Sequence, residues 1–410
     1  MGFVISRAAI IARIAVGMAA AMMLAGCGST MVRQGIPTAA IAYDARIAGM
    51  PGVRFWGDET PADFISEVRR RLPGMPQLAQ NAHSVGGRPL VEILALSGGG
   101  GDGAFGAGLL TGWTERGDRP EFEVVTGVSA GAIIAPFAFL GPRYDPALRE
   151  IWTQYQTSQI VTAQILPGLL GGASLADAGP LEALVAKYVD RELLKAVARE
   201  YHRGRLLLVG TTNLDAQRPV VWNMGEIAAS NHPDSIELFR KVILASAAIP
   251  GALPPVDIPV VADGKHYDEL HVDGGTTREV FVSPFNVPFR TYDALYAKPP
   301  IRRIYVIKNG KATPEQEVVE AKTLKIVARS IFTLIKNQNL GEIYRIWRMA
   351  KDAGADFNFI AVPPDFDHKA KEFFDPVYQT QLFDVGRKLG RSRIPWLKRP
   401  PDLLAARHAD

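Results

Sequence analysis

The sequence predicts an α/β protein built on a mostly parallel central sheet flanked by helices. Three observations carry this. Strand-like apolar runs alternate with helix-like segments. Glycine-rich turns follow the first two of those runs directly. The composition, 47% hydrophobic and 21% charged over 410 residues, is that of a globular chain with enough material for a large core. The formal charge of +4 is too small to suggest a nucleic-acid binder. A single cysteine, Cys27, excludes an intrachain disulfide and any cysteine-based zinc or iron–sulfur centre held by this chain alone.

The first 26 residues read as an address. Arg7 and Arg13 mark a basic start, and Ile14 to Ala25 runs without a charge. That stretch is shorter than the ~20 residues of a membrane span and suits the core of a signal peptide. It ends in Leu24-Ala25-Gly26-Cys27, which resembles the bacterial lipobox, where the cysteine is acylated and the chain is cut before it. The competing reading is a signal peptide with a chance cysteine. Gly28 and Ser29 follow, without the aspartate that often retains lipoproteins in the inner membrane, so the expected location is the outer membrane, facing the periplasm. Removal of residues 1–26 takes Arg7 and Arg13 with it and lowers the formal charge from +4 to +2. Residues 27–89 are expected to form a tether and a surface-wrapping arm, with a short amphipathic helix from Asp63 to Arg71.

The core is expected over residues 90–310. Leu90–Leu96 is a buried-strand run that breaks into Ser97-Gly98-Gly99-Gly100-Gly101-Asp102-Gly103, and a helix should follow from about Ala104 to Glu115. Phe122–Thr126 is a second strand, leading into Gly127-Val128-Ser129-Ala130-Gly131 and an apolar helix, Ala132 to Leu140. Residues 151–200 look helical with a break near Pro167 to Ala173; Leu206–Thr212 is a third strand and Ile304–Ile307 a late one. Residues 311–410 are expected to be a helical extension packed on that core.

The first glycine turn has three readings. It can be a bare strand-to-helix turn. It can be a dinucleotide fingerprint, although Glu121 and Glu123 open the second strand rather than end it. It can be an oxyanion hole, since consecutive glycines let backbone N–H groups turn towards a ligand and a helix N-terminus adds positive partial charge.

Gly127-Val128-Ser129-Ala130-Gly131 is Gly-x-Ser-x-Gly between a strand and a helix, the setting of a nucleophile elbow. A serine needs a base. His202, His232, His266, His271, His368 and His408 follow it, and none has the setting of a triad member; His271, two residues before Asp273, is assigned a supporting role at most. The stronger candidate is Asp273, in Asp273-Gly274-Gly275, where the backbone turns away sharply behind the carboxylate; an ordinary aspartate turn is the alternative.

Taken in order, Gly98 to Gly103, Gly127 to Gly131 and Asp273 to Gly275 resemble the three motifs of the patatin-like phospholipases, and Thr211–Asp215 and Ala245–Pro250 are similar to further family segments. The resemblance covers roughly residues 90–310. It implies a three-layer α/β/α fold, acyl-ester hydrolysis of lipids by a Ser–Asp dyad, and no metal or other cofactor. Carried over residue by residue, Ser129 is the nucleophile, Asp273 the base, and the amides of Gly99, Gly100 and Gly101 the oxyanion donors; Gly98, Gly103, Gly127, Gly131, Gly274 and Gly275 are the motif glycines. Asp102 departs from the pattern, because many members carry Arg or Lys there. The departure points to neutral esters rather than a charged head group.

The expectation is therefore a lipid-anchored envelope serine hydrolase whose partners are a lipid substrate and, through Cys27, the membrane. The rivals are a non-catalytic envelope lipoprotein that binds lipid or a partner on a hydrolase-like fold, and a dinucleotide-binding oxidoreductase, which would leave Ser129 and Asp273 without a role. Two flanks could touch lipid: the apolar, Gly/Pro-interrupted residues 151–176, a cap or a kinked core helix, and the basic run Arg387, Lys388, Arg391, Arg393, Lys398 and Arg399 beside Trp396 and Leu397.

Overall fold

The computed structural model describes residues 33–60, 63–71, 83–160, 162–163, 176–284, 287–372 and 374–401. The expectations for the signal peptide and for Cys27 lie outside these residues, as does half of the expected cap at 151–176.

In chain order the main elements are α1 (Ala39–Asp44), β1 (Arg54–Trp56), α2 (Phe64–Arg71), β2 (Arg88–Leu96), α3 (Gly103–Arg116), β3 (Val124–Val128), α4 (Ala130–Leu140) and α5 (Asp145–Thr153). They continue with α6 (Gly179–Tyr188), α7 (Arg191–His202), β4 (Leu206–Asn213), β5 (Arg218–Asn223), α8 (Met224–Ala229), α9 (Ser235–Ala247), β6 (Val256–Ala262) and β7 (Lys265–Asp273). The last four are β8 (Ile301–Lys311), α10 (Thr323–Ala353), β9 (Asp356–Val362) and α11 (Pro376–Arg391).

The central sheet runs β1-β5-β4-β3-β2-β8-β9. Its middle is parallel, from β4 through β3, β2 and β8 to β9. β1 and β5 add antiparallel at one end, and β6 pairs antiparallel with β7. Central strands of such a sheet are covered on both faces and read as continuous apolar runs. Alternate residues divide accordingly: Leu94, Leu96, Leu207, Val209 and Ile307 enter one core, and Ile93, Ala95, Leu206, Leu208 and Val306 the other. The first core is closed by α3, α4, α5, α7 and α9, the second by the C-terminal half of α10 and residues 280–282 and 287–295. The sheet is thus the middle of three layers.

The sheet reaches beyond residues 90–310 at both ends. Inside the expected N-terminal arm, Phe55 and Trp56 are buried in β1, paired with Val221 and Val220. Inside the expected helical extension, β9 pairs in parallel with β8. The basic run near the C-terminus serves the fold: Arg387 and Arg391 reach Glu115 on α3, Lys398 pairs with Asp356, and Trp396 packs against Trp113 and Tyr305.

α3 and α11 approach through facing glycines. A Cβ on Gly108 would lie 2.0 Å from the Phe383 carbonyl oxygen, and one on Gly386 2.2 Å from that of Phe105. Only hydrogen in place of a side chain allows backbones this close. This contact fixes α3, whose N-terminus carries the glycine loop.

Candidate active site

The sheet register explains how residues far apart in the chain meet. Along one edge of β4, β3 runs parallel and ends with Val128 opposite Gly210. On that edge β7 arrives from the opposite direction and ends with Asp273 opposite Thr211, the next residue. The two strands therefore meet tip to tip, Ser129 follows one tip, and Asp273 is the other. A Cβ on Gly274 would come within 2.5 Å of the Gly210 carbonyl oxygen and 2.8 Å of Val128 Cγ1, so the junction admits glycine alone.

Ser129 stands at the head of α4 with φ 54° and ψ −123°. A non-glycine residue avoids that region, because its Cβ crowds the backbone, so the turn is strained. Small neighbours permit it: a Cβ on Gly127 would sit 2.3 Å from the Gly131 carbonyl oxygen, and one on Gly131 2.3 Å from that of Leu96. The Ser129 amide donates to Ser246 Oγ at 2.9 Å, and that hydroxyl donates to the Gly210 carbonyl at 2.7 Å. Ser246 on α9 thus clamps the turn to β4.

Asp273 faces Ser129, whose side chain holds its carboxyl's pKa down, and the Gly275 amide donates to Asp273 Oδ1 at 2.7 Å. Burial dominates the electrostatics: Asp273 is 3% exposed and its carboxyl is pushed up to about 7. The Ser129 side chain and the Gly275 amide pull the value down, and the nearby Glu279 raises it further.

Glu279 is a second buried carboxyl, pushed up by desolvation against the opposing pull of Lys308, Asn339 and Lys336. Its carbonyl accepts the Gly98 amide at 3.2 Å. A Cβ on Gly98 would lie 3.0 Å from Ser129 Cβ and 3.3 Å from Glu279 Oε1, which puts serine, loop and acid around one point.

The glycine loop takes conformations that favour glycine, with φ 152° at Gly99 and 54° at Gly100. Gly100 to Asp102 form a 3-10 turn that opens into α3. Amides at a helix start have no partner within the helix and are free to face a ligand. The loop is stapled from β8 by Asn309. Its amide group donates to the Ser97 carbonyl at 2.8 Å, its backbone N–H donates to Ser97 Oγ at 2.9 Å, and its Oδ1 accepts the Gly106 amide at 3.1 Å.

Asn309, Glu279 and Lys308 escape sequence reading because each is a polar residue without a motif, whereas Ser246 lies in the family-like segment Ala245–Pro250 without its clamping role being legible there. His271 is fully buried on β7, its Nδ1 2.9 Å from Thr211 Oγ1 and its Nε2 3.2 Å from Glu269 Oε2, whose carboxylate also pairs with Arg54. It supports the strand and is not bonded to Ser129. Asp102 accepts from the Tyr378 hydroxyl of α11 at 2.7 Å, and burial pushes its carboxyl up to about 6.

Residues 94–287 match the family described as patatin-like phospholipase, a span that contains Ser129, Asp273 and the glycine loop. The chain carries a patatin-like phospholipase domain. Its mixed α/β architecture, a largely parallel sheet between helices, is the patatin-like fold. Among solved structures, VipD from Legionella pneumophila is similar at 10% identity and a TM-score of 0.31, over 72% of this chain and 67% of that one. No curated protein matches. Within the patatin-like domain all three predicted motifs converge: the glycine loop through Gly98, the elbow at Ser129, and the aspartate turn at Asp273.

Proposed function

We propose that this protein is a serine lipid acyl hydrolase acting on carboxylic esters through a dyad of Ser129 and Asp273. The observation that carries the reading is the tip-to-tip junction of β3 and β7, where a strained serine and a buried carboxylate stand at adjoining strand tips. Ser129 Oγ attacks the acyl carbonyl while its proton passes to Asp273. The amides of Gly99, Gly100 and Gly101 stabilise the oxyanion, helped by the positive end of α3. The departing alkoxide takes the proton from Asp273 and leaves an acyl ester on Ser129. Water then attacks that ester, again giving its proton to Asp273, which returns it to Ser129 as the acid leaves.

A free carboxylate is a weak base, and a value near 7 makes Asp273 a far better one. Asp102, where many family members carry a basic residue, favours neutral esters over anionic phospholipid head groups. The reaction as written needs no metal. We further propose that Cys27 is the acylated mature N-terminus and anchors the protein in the outer membrane, facing the periplasm. Mass spectrometry of the envelope form tests this, and an unmodified Cys27 inside a longer chain would refute it.

The activity test is a panel of neutral esters and phospholipids. Ser129→Ala and Asp273→Asn should each remove nearly all turnover, and the double variant should be scarcely worse, as for residues acting as a unit. Retained turnover in Ser129→Ala, or loss on chelation with recovery on added zinc or calcium, refutes the mechanism.

A further inference from the structure

α10 changes character half-way along. Its C-terminal half buries Asn339, Leu340, Ile343, Ile346 and Ala350 in the core. Its first turns bury nothing, and there Leu324, Val327 and Leu334 are 51%, 48% and 71% exposed. With the half-buried Ile331 these residues are spaced three, four and three apart, which places them on one helix face over about 15 Å. At 100° per residue, Lys325, Arg329 and Lys336 fall on the opposite face. Between Ala321 and Gly341 there is no acidic residue. The acids that pair with Lys322, Arg329 and Lys336 are Glu320, Glu317 and Glu315, on the segment before the helix.

The next turn of the same helix roofs the site. Ile335 Cγ2 lies 3.5 Å from the Cβ position of Gly275, and the Gln338 amide donates to the Thr277 carbonyl, both beside Asp273. The helix that covers the aspartate turn therefore also presents an outward aliphatic stripe.

We propose that the Leu324–Leu334 face of α10 is a lipid-docking surface that seats the site on an anionic bilayer. The proposal rests on the hydrolase reading above, whose substrate lies in a bilayer. Two arguments select lipid over protein. The stripe, about 15 Å by 10 Å, offers on the order of 150–200 Å², far below the ~800 Å² per partner of a stable protein interface. The four bases Lys322, Lys325, Arg329 and Lys336 exceed the three acids Glu315, Glu317 and Glu320 beside them, and an apolar face on such a net-positive helix is also the pattern of an interfacial helix, which sinks its aliphatic side chains beneath anionic head groups.

The test uses the full chain with Ser129→Ala, so that no lipid is consumed, and Cys27→Ser, so that an added cysteine is the only thiol. An environment-sensitive fluorophore is attached at Leu334→Cys, at Val327→Cys, or at Lys351→Cys on the last turn as the control. Vesicles of phosphatidylethanolamine and phosphatidylglycerol, with and without brominated acyl chains, are then added. The expected result is a blue shift and bromine quenching at 334 and 327, with little of either at 351. Aqueous emission at 334 and 327 while the protein floats with the vesicles overturns the proposal, as does equal quenching at 351. Cross-linking of 334 between copies in the absence of lipid would assign the stripe to a second copy and overturn it too. None of these readouts depends on turnover, so a failed hydrolase reading and a failed docking face are told apart.

Discussion

Replacing Asp273 by Asn should abolish turnover and at the same time stabilise the protein in alkaline solution. The carboxyl rises from 3.8 to about 7 on folding, chiefly by desolvation. Between those values the folded protein keeps a proton that the unfolded chain has released. Native stability therefore falls as pH rises through that window and is level above it. Three pH units at 1.36 kcal/mol each amount to about 4 kcal/mol, to order of magnitude. Asn keeps the shape: its oxygen can accept the Gly275 amide, now bonded to Oδ1 at 2.7 Å, and its amide can donate to Ser129. The variant loses only the ionisation. Urea unfolding of both proteins at about pH 5 and pH 8.5 measures the effect. The advantage of Asp273→Asn should grow by a few kcal/mol between the two. Activity of the parent should rise through pH 7 as the base ionises, so that stability falls where turnover appears. Parallel stability curves for the two proteins would show that Asp273 is not desolvated, and the argument for its strength as a base would go with it.

Removing the charge of Glu279 by Glu279→Gln should lower the pKa of Asp273 and move the acid limb of kcat/KM to lower pH; Lys308, Lys336 and Asn339 face the same group, and an unmoved limb would mean that their field already cancels it. Ser246→Ala frees the Ser129 amide from its clamp and should lower kcat roughly tenfold, equivalent to about 1.4 kcal/mol, with KM little changed; unaltered kcat would show that the turn holds without it. Gly108→Ala forces a Cβ against the Phe383 carbonyl and should cost about 1–3 kcal/mol in a urea melt, while kinetics at low temperature survive in whatever fraction stays folded.

The elements legible from sequence were those whose burial is complete. Ile93–Leu96 and Leu206–Val209 are apolar without interruption because both faces of a central parallel strand are covered, and both lie within observed strands. The glycine loop and the elbow were legible because backbone crowding restricts residue choice in a contiguous stretch. β1 was not, because three residues become a strand only through Val220–Trp222 on β5. β9 hid in a region read as helical, since its pairing partner Ile304–Lys308 lies far upstream. Trp396 beside a basic run suggested a membrane edge, yet its ring has Trp113 and Tyr305 for neighbours, which local composition does not reveal. The same long-range dependence hides Ser246 and Asn309, whose work is done on Ser129 and Ser97 across the fold.

The proposed dyad, which has no histidine, raises the question of how a carboxylate can replace an imidazole, whose ordinary value near 6.5 suits it to work at neutral pH. The geometry answers through desolvation. Asp273 ends a strand at a junction so tight that Gly274 has no room for a Cβ, and Glu279 stands nearby as a second negative charge. Both effects disfavour the charged form and bring the carboxyl to about 7. The Ser129 side chain and the Gly275 amide act in the other direction and limit the rise. Without them the carboxyl would rise further and stay protonated at neutral pH. With a fully solvated carboxylate the base would be too weak to take the serine proton. Burial and hydrogen bonding must therefore stay in balance for Asp273 to titrate near neutral pH.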